Sequence, residues 1–160
     1  MRWLLEFPAM RILALLMLIV SVQAVSAADP LIIGKWKYDP DKSSVKLPAQ
    51  HVYWIQEPAG KVKYGFNLDL PGGGKKAGAE AVIQFDGKDY PQSLNPSFDM
   101  IAMKQIDDHN WNSSSKLHGK EGSHGIWTVS LDGKMMIHVN EGTHSKTGKA
   151  FRSVTVWERQ

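Results

Sequence analysis

Lys61-Val62-Lys63-Tyr64-Gly65-Phe66-Asn67-Leu68-Asp69-Leu70 alternates without a break: Val62, Tyr64, Phe66, Leu68 and Leu70 fall on one side, and Lys61, Lys63, Gly65, Asn67 and Asp69 on the other. Successive side chains of an extended chain point to opposite faces, so this stretch reads as a β-strand with one wet face and one buried face. A strand of this kind buries only half its side chains, and a sheet of such strands protects its apolar face by curving around a core.

Similar segments run outward in both directions: Leu31–Tyr38, Gln50–Glu57, Ala79–Phe85, Phe98–Ile106, Asn110–Leu117, Ser123–Leu131, Lys134–Asn140 and Ala150–Glu158. With Lys61–Leu70 they make about nine strands, and long helical periodicity is absent after residue 30. Turn residues separate them, among them Pro58-Ala59-Gly60, Asp86-Gly87, Asp107-Asp108-His109, Gly119-Lys120-Glu121-Gly122 and Asp132-Gly133. Short connections join antiparallel neighbours, so the chain is expected to meander. Closure into a barrel removes the exposed edges of such a sheet. A two-sheet sandwich is the competing architecture, but it usually needs long crossing connections. Three longer segments, Pro40–Ala49, Pro71–Gly78 and Pro91–Ser97, are candidates for a barrel mouth.

The first 28 residues read differently. An apolar run from Ile12 to Val25 follows Arg2 and Arg11 and precedes the small residues Ser26, Ala27 and Ala28. That order is the pattern of a cleavable secretory signal. Ser21 and Gln23 interrupt the run, which is shorter than the ~20 apolar residues that a membrane-spanning helix needs. Cleavage after Ala27 or after Ala28 satisfies the pattern equally. Met10-Arg11 gives a more compact charged region than the Trp3–Pro8 stretch before it, so translation is expected to start at Met1 or Met10. Residues 1–28 are accordingly assigned as a signal peptide and residues 29–160 as one β-barrel domain. The expected destination is the periplasm or the exterior, with no stable membrane span after signal removal.

Setting aside Arg2, Arg11 and Glu6 leaves seventeen basic against fifteen acidic residues, dispersed among one another. Nucleic-acid binding needs a concentrated basic face, so that class is excluded. The chain has no cysteine, so the domain must hold itself together in an oxidising compartment through its core alone. The same lack removes the residue to which a bacterial lipid anchor attaches. The sequence fixes no oligomeric state.

Motifs with chemistry are missing. Gly72-Gly73-Gly74-Lys75-Lys76 lacks the upstream glycine and the hydroxyl residue after lysine that a phosphate-binding loop requires. Gly142-Thr143-His144-Ser145-Lys146-Thr147-Gly148-Lys149 fails on glycine spacing and on Ala150. His51, His109, His118, His124, His138 and His144 match no usual metal-ligand spacing, so no metal or cofactor is expected. No nucleophile elbow or zinc-protease helix occurs, and the adjacent Asp107 and Asp108 are poorly disposed as an acid and base pair. No catalytic residue is assigned, and the protein is expected not to be an enzyme. Trp36, Trp54, Trp111, Trp127 and Trp157 fall on five different expected strands, where they fill a core or line a cavity.

Gly34-Lys35-Trp36, opening the first strand, resembles the Gly-x-Trp start of lipocalins. The likeness is closer to small exported bacterial lipocalin-like proteins of unassigned function, with calycin-type barrels. It is carried by Gly34-Lys35-Trp36-Lys37 with Asp41-Lys42-Ser43, Phe85-Asp86-Gly87-Lys88-Asp89-Tyr90-Pro91 with Asn95-Pro96, Val129-Ser130-Leu131-Asp132-Gly133-Lys134, and Val156-Trp157-Glu158-Arg159-Gln160. The resemblance implies that Gly34 and Trp36 close one end of the barrel and that a basic residue of the last strand, Arg152, packs over Trp36.

These observations lead to an all-β, antiparallel, up-and-down lipocalin-like barrel of about 8–9 strands. Its expected partner is a small hydrophobic or amphipathic ligand, and Val62, Tyr64, Phe66, Ile83, Phe85 and Met100 are the expected cavity residues. At ~25 cal/mol per Å² of buried apolar surface, a ligand of ordinary size would gain several kcal/mol before the costs of binding. Two rivals remain: a filled barrel acting through its surface as a protein-interaction or envelope-stress module, and an enzyme with scattered His, Asp and Tyr residues at the mouth.

Overall fold

A computed structural model describes residues 29–144 and 147–160. The expected signal segment, 1–28, lies outside the described residues. The chain forms ten antiparallel strands: β1 (Gly34–Asp39), β2 (Gln50–Gln56), β3 (Val62–Asp69), β4 (Lys75–Ile83), β5 (Asp86–Pro91), β6 (Met100–Gln105), β7 (Asn110–Leu117), β8 (Lys120–Val129), β9 (Met135–Thr143) and β10 (Ala150–Arg159). Each strand pairs with its sequence neighbours except across β4 and β5, and β10 returns to pair with β1. The result is a nearly closed up-and-down barrel with one gap in its ladder. Among the described residues, no helix is long and apolar enough to cross a membrane.

The expected strand count was short by one. Asp86–Pro91, where only a turn at Asp86-Gly87 and the start of a long segment at Pro91 were expected, is a strand. It carries almost no buried residue and its register with β6 shifts between Asp86 and Asp89, so the alternation that betrays a half-buried strand is missing. Its position beside the ladder gap explains both features, because an edge strand need not pack a face.

Alternation along the other strands fixes the interior. Trp111, Trp127, His138 and Thr155 lie directly opposite one another across β7, β8, β9 and β10, and Trp54, Tyr64 and Ala81 do so across β2, β3 and β4. One end of the barrel is solid. Ile32, Trp36, Val52, Val62, Ile83, Met103, Trp111, Val129 and Met136 are nearly or fully removed from solvent there and form one cluster. Ile32 is drawn into this plug by the Trp36 indole N–H, which donates to its carbonyl at 3.0 Å.

Up-and-down topology sends every connection after an odd-numbered strand to the opposite end. All three long segments, 40–49, 70–74 and 92–99, therefore share that end and form the mouth. The middle one is shorter than its sequence suggests, because β4 already starts at Lys75.

Candidate functional site

Four rings form the floor between the solid end and the mouth. Trp54 and Tyr64 stack with centroids 3.9 Å apart and planes 8° from parallel. Trp127 and His138 stack at 3.7 Å and 4°. The two stacks meet edge to face, Trp54 to Trp127 at 5.4 Å and Tyr64 to Trp127 at 6.2 Å. Both stacks are cross-strand pairs in direct register, where side chains approach most closely. The edge-to-face contacts between the two stacks suit the ring quadrupoles.

Above the floor lies a cavity of about 130 Å³. Tyr64, Leu94, Phe98, Ile101 and Trp127 supply its apolar wall, and Gln92, Asn95, Ser113, Ser115, Ser123 and Asn140 supply its polar wall, with His138 between them. The inward serines and Asn140 follow from alternation: Ser113 and Ser115 share the face of Trp111, Ser123 that of Trp127, and Asn140 that of Met136 and His138. Gly125, on the same face, leaves room beside the imidazole; a Cβ there would lie 2.7 Å from His138 Nε2.

Burial sets the protonation of the site. Desolvation pushes the His138 imidazole down to about 3, so the ring is neutral throughout the physiological range. Burial pushes the Tyr64 hydroxyl up, so it too stays uncharged. His138 Nε2 is buried without a hydrogen-bond partner among the described residues. Buried polar atoms are nearly always paired, and this unpaired nitrogen belongs to a ring that lines the cavity and sits against Gly125.

The mouth is covered by the segment between β5 and β6. The Gln92 carboxamide donates to the carbonyls of Phe98 and Asn95 at 2.5 and 3.2 Å and accepts from the Asn95 amide at 3.1 Å. These bonds close the segment on itself, and Leu94 packs down against the core. Outside it lies a wider vestibule of about 650 Å³ between this segment and the β9–β10 connection, lined by Phe98, Asn140, His144, Lys149 and Phe151 among others. Asn95, Phe98 and Asn140 border both spaces.

The expected cavity residues divide. Tyr64 lines the cavity. Val62 and Ile83 are buried in the solid end, and Phe85 packs beside Trp54 and Trp111, so these three support the floor from below. Phe66 is half-buried on the inward face of β3, against Gly78. Met100 does not face inward: Ile101 and Met103 take the interior, and Met100 lies on the outer face opposite Lys116. The polar residues that define the cavity were missed, because a serine pointing inward is indistinguishable by type from one pointing to water.

The barrel-closing assignment also changes. Gly34 and Trp36 are at the solid end, but the guanidinium over the Trp36 ring is that of Arg159, 4.1 Å from the centroid. Arg152 instead faces outward and pairs with Glu141 at 2.6 Å. Among the described residues, no group of three or more His, Cys, Asp or Glu side chains is placed to hold a metal.

No known protein family matches the chain by sequence, and no curated protein does. Among solved structures, an asparagine-to-alanine variant of the fluorescent protein UnaG is similar, with a TM-score of 0.54 and 11% identity over 81% of this chain and 96% of that one. Wild-type UnaG is similar with a TM-score of 0.52 and 11% identity, over 80% of this chain and 96% of that one. What this chain shares with UnaG is a fold, an antiparallel up-and-down β-barrel.

Proposed function

We infer that this protein is an exported binding barrel that takes up a small amphipathic molecule through its mouth. The observation that carries the reading is a cavity with one aromatic wall and one hydroxyl-rich wall, with the neutral His138 ring between them. The inner cavity alone is small beside ordinary ligand sites, which run to ~300–1,000 Å³. The vestibule shares Asn95, Phe98 and Asn140 with it, so a ligand that enters as segment 92–99 opens places one end inside and leaves the rest among Phe98, Phe151 and Lys149. The apolar run Ile12–Val25 supports a periplasmic or secreted location, and Gly34-Lys35-Trp36-Lys37 with Phe85–Pro91 supports kinship with the exported lipocalin-like proteins.

A second reading, the filled barrel acting through its surface, draws on the solid lower half and on Leu131, 91% exposed at the β8–β9 turn. Native mass spectrometry of the protein purified from its natural host separates the two. An adduct that Ser115→Leu removes is expected for the binding barrel. Protein that is always empty, with Leu131→Ser abolishing capture of a protein partner, would replace it with the surface reading.

A further inference from the structure

The cavity wall contains no aspartate, glutamate, lysine or arginine among the described residues. Its polar groups are the hydroxyls of Ser113, Ser115, Ser123 and Tyr64, the carboxamides of Gln92, Asn95 and Asn140, and the His138 ring. Two of those carboxamides are engaged, since that of Gln92 is committed to closing the mouth segment and the Asn95 Oδ1 accepts from the Ser97 amide at 2.9 Å. Ser113, Ser115, Ser123, Tyr64, Asn140 and His138 remain to meet a guest. Ser113 spends its proton on the Gly125 carbonyl at 3.3 Å. Hydroxyls and carboxamides both donate and accept, so this set matches a group that does likewise.

We propose that the end of the ligand held in this cavity is uncharged and hydrogen-bonding, of the alcohol, phenol, amide or carbonyl class, and that carboxylate, phosphate and ammonium groups are kept out of it. The claim rests on the binding function argued above and adds the chemical class of the buried end. An ion entering the cavity would lose its water without finding an opposite charge, a cost that hydroxyl dipoles offset only in part. His138 does not supply that charge, because desolvation holds it neutral. The aromatic wall of Tyr64, Trp127 and Phe98 favours a flat or ring-bearing group over a branched one. Among the described residues, Lys149 borders the vestibule and not the cavity, so an acidic group on the same ligand is accommodated outside.

The test uses 4-nitrophenol, whose ionisation is visible in its absorbance and changes the charge of the group to be buried. Full-length processed protein is titrated with it while the His138 ring resonances, recorded by NMR on labelled protein, report whether it enters this cavity. Saturable perturbation of His138 together with a rise of about one unit or more in the probe's pKa, a tenfold preference for the neutral form, is the expected result. Saturable perturbation with an unchanged or lowered probe pKa overturns the charge rule while leaving the binding barrel standing. Absence of any saturable perturbation at His138, for the probe in either ionisation state, overturns both.

Discussion

Arg159 and Trp36, directly opposite across β1 and β10, seal the solid end of the barrel together. The guanidinium lies over the indole and also donates from Nε to the Gly133 carbonyl at 2.6 Å, from Nη1 to Ile33 at 3.0 Å and from Nη2 to Leu31. One side chain thus ties the first residues of the domain and the β8–β9 turn to the last strand. Gly34 makes the approach feasible: its φ is 143°, and a Cβ there would sit 2.6 Å from Nη1. Arg159→Ala should cost about 2–4 kcal/mol, from a cation–π contact and hydrogen bonds to three carbonyls. Arg152→Ala removes only an exposed ion pair and should cost less than about 1 kcal/mol. Paired denaturant titrations check the ranking, and equal losses would refute the assignment of the seal to Arg159.

The same pair shows how far the sequence could be read. Lys61–Leu70 announces β3 because its alternation is complete, and Trp36 of Gly34-Lys35-Trp36 lies in the plug. The basic partner was misplaced although the information to place it was present. Trp157 is buried, so Thr155, Ser153 and Arg159 share its face by twos, and Arg152 falls on the other. Parity counted from Trp111 likewise selects Ser113 and Ser115, and parity from Met103 rejects Met100. What no parity reveals is depth along the barrel. Val62 and Tyr64 share a face, yet one is plug and the other is cavity wall, a difference set by the ladder register with the neighbouring strands. The strand Asp86–Pro91 was invisible for a related reason: it buries no face.

His138 makes stability depend on acid. Its folded pKa, about 3, lies below the ordinary 6.5, so the unfolded chain takes up a proton that the folded barrel refuses. Stability from this group is complete above pH 6.5 and is lost progressively as pH falls toward 3. Each unit of the gap is worth ~1.4 kcal/mol. Exposed carboxylates such as Asp107, held low by the Asn110 side chain and the His109 amide, add an acid-side loss of their own that a His138 variant retains. His138→Phe keeps an aromatic ring against Trp127 and removes the proton site. Between pH 7.5 and 4.5 the wild type should lose of order 2 kcal/mol more than this variant. Parallel stability curves over that window would show that His138 is not held neutral by burial.

Gly125 is a spacing residue. Its φ is ordinary, so conformational freedom is not what it provides; a Cβ there would meet the Val139 carbonyl oxygen at 2.6 Å and His138 Nε2 at 2.7 Å. Backbone cannot yield as a side-chain tip does, so Gly125→Ala should cost about 1–3 kcal/mol and tilt the imidazole off Trp127. Thermal unfolding and the His138 ring resonances measure the two effects. A variant with unchanged melting and unshifted resonances would mean that β8 and β9 are less tightly packed than described.

Gln92 governs access. Its carboxamide makes three of the bonds that hold segment 92–99 over the cavity, while the backbone bonds from Gln92 to Asp99 and from Phe98 to Asn95 remain without it. At ~1 kcal/mol net for a typical bond, Gln92→Ala should raise opening of the segment by tenfold or more without unfolding the barrel. Amide hydrogen exchange should therefore speed up at Asn95 and Phe98 and stay unchanged at Trp127, and 4-nitrophenol should enter and leave faster in the variant. Faster exchange confined to the mouth with unaltered probe kinetics would place the entry route elsewhere, and the break in the ladder between β4 and β5 would be the next site to block.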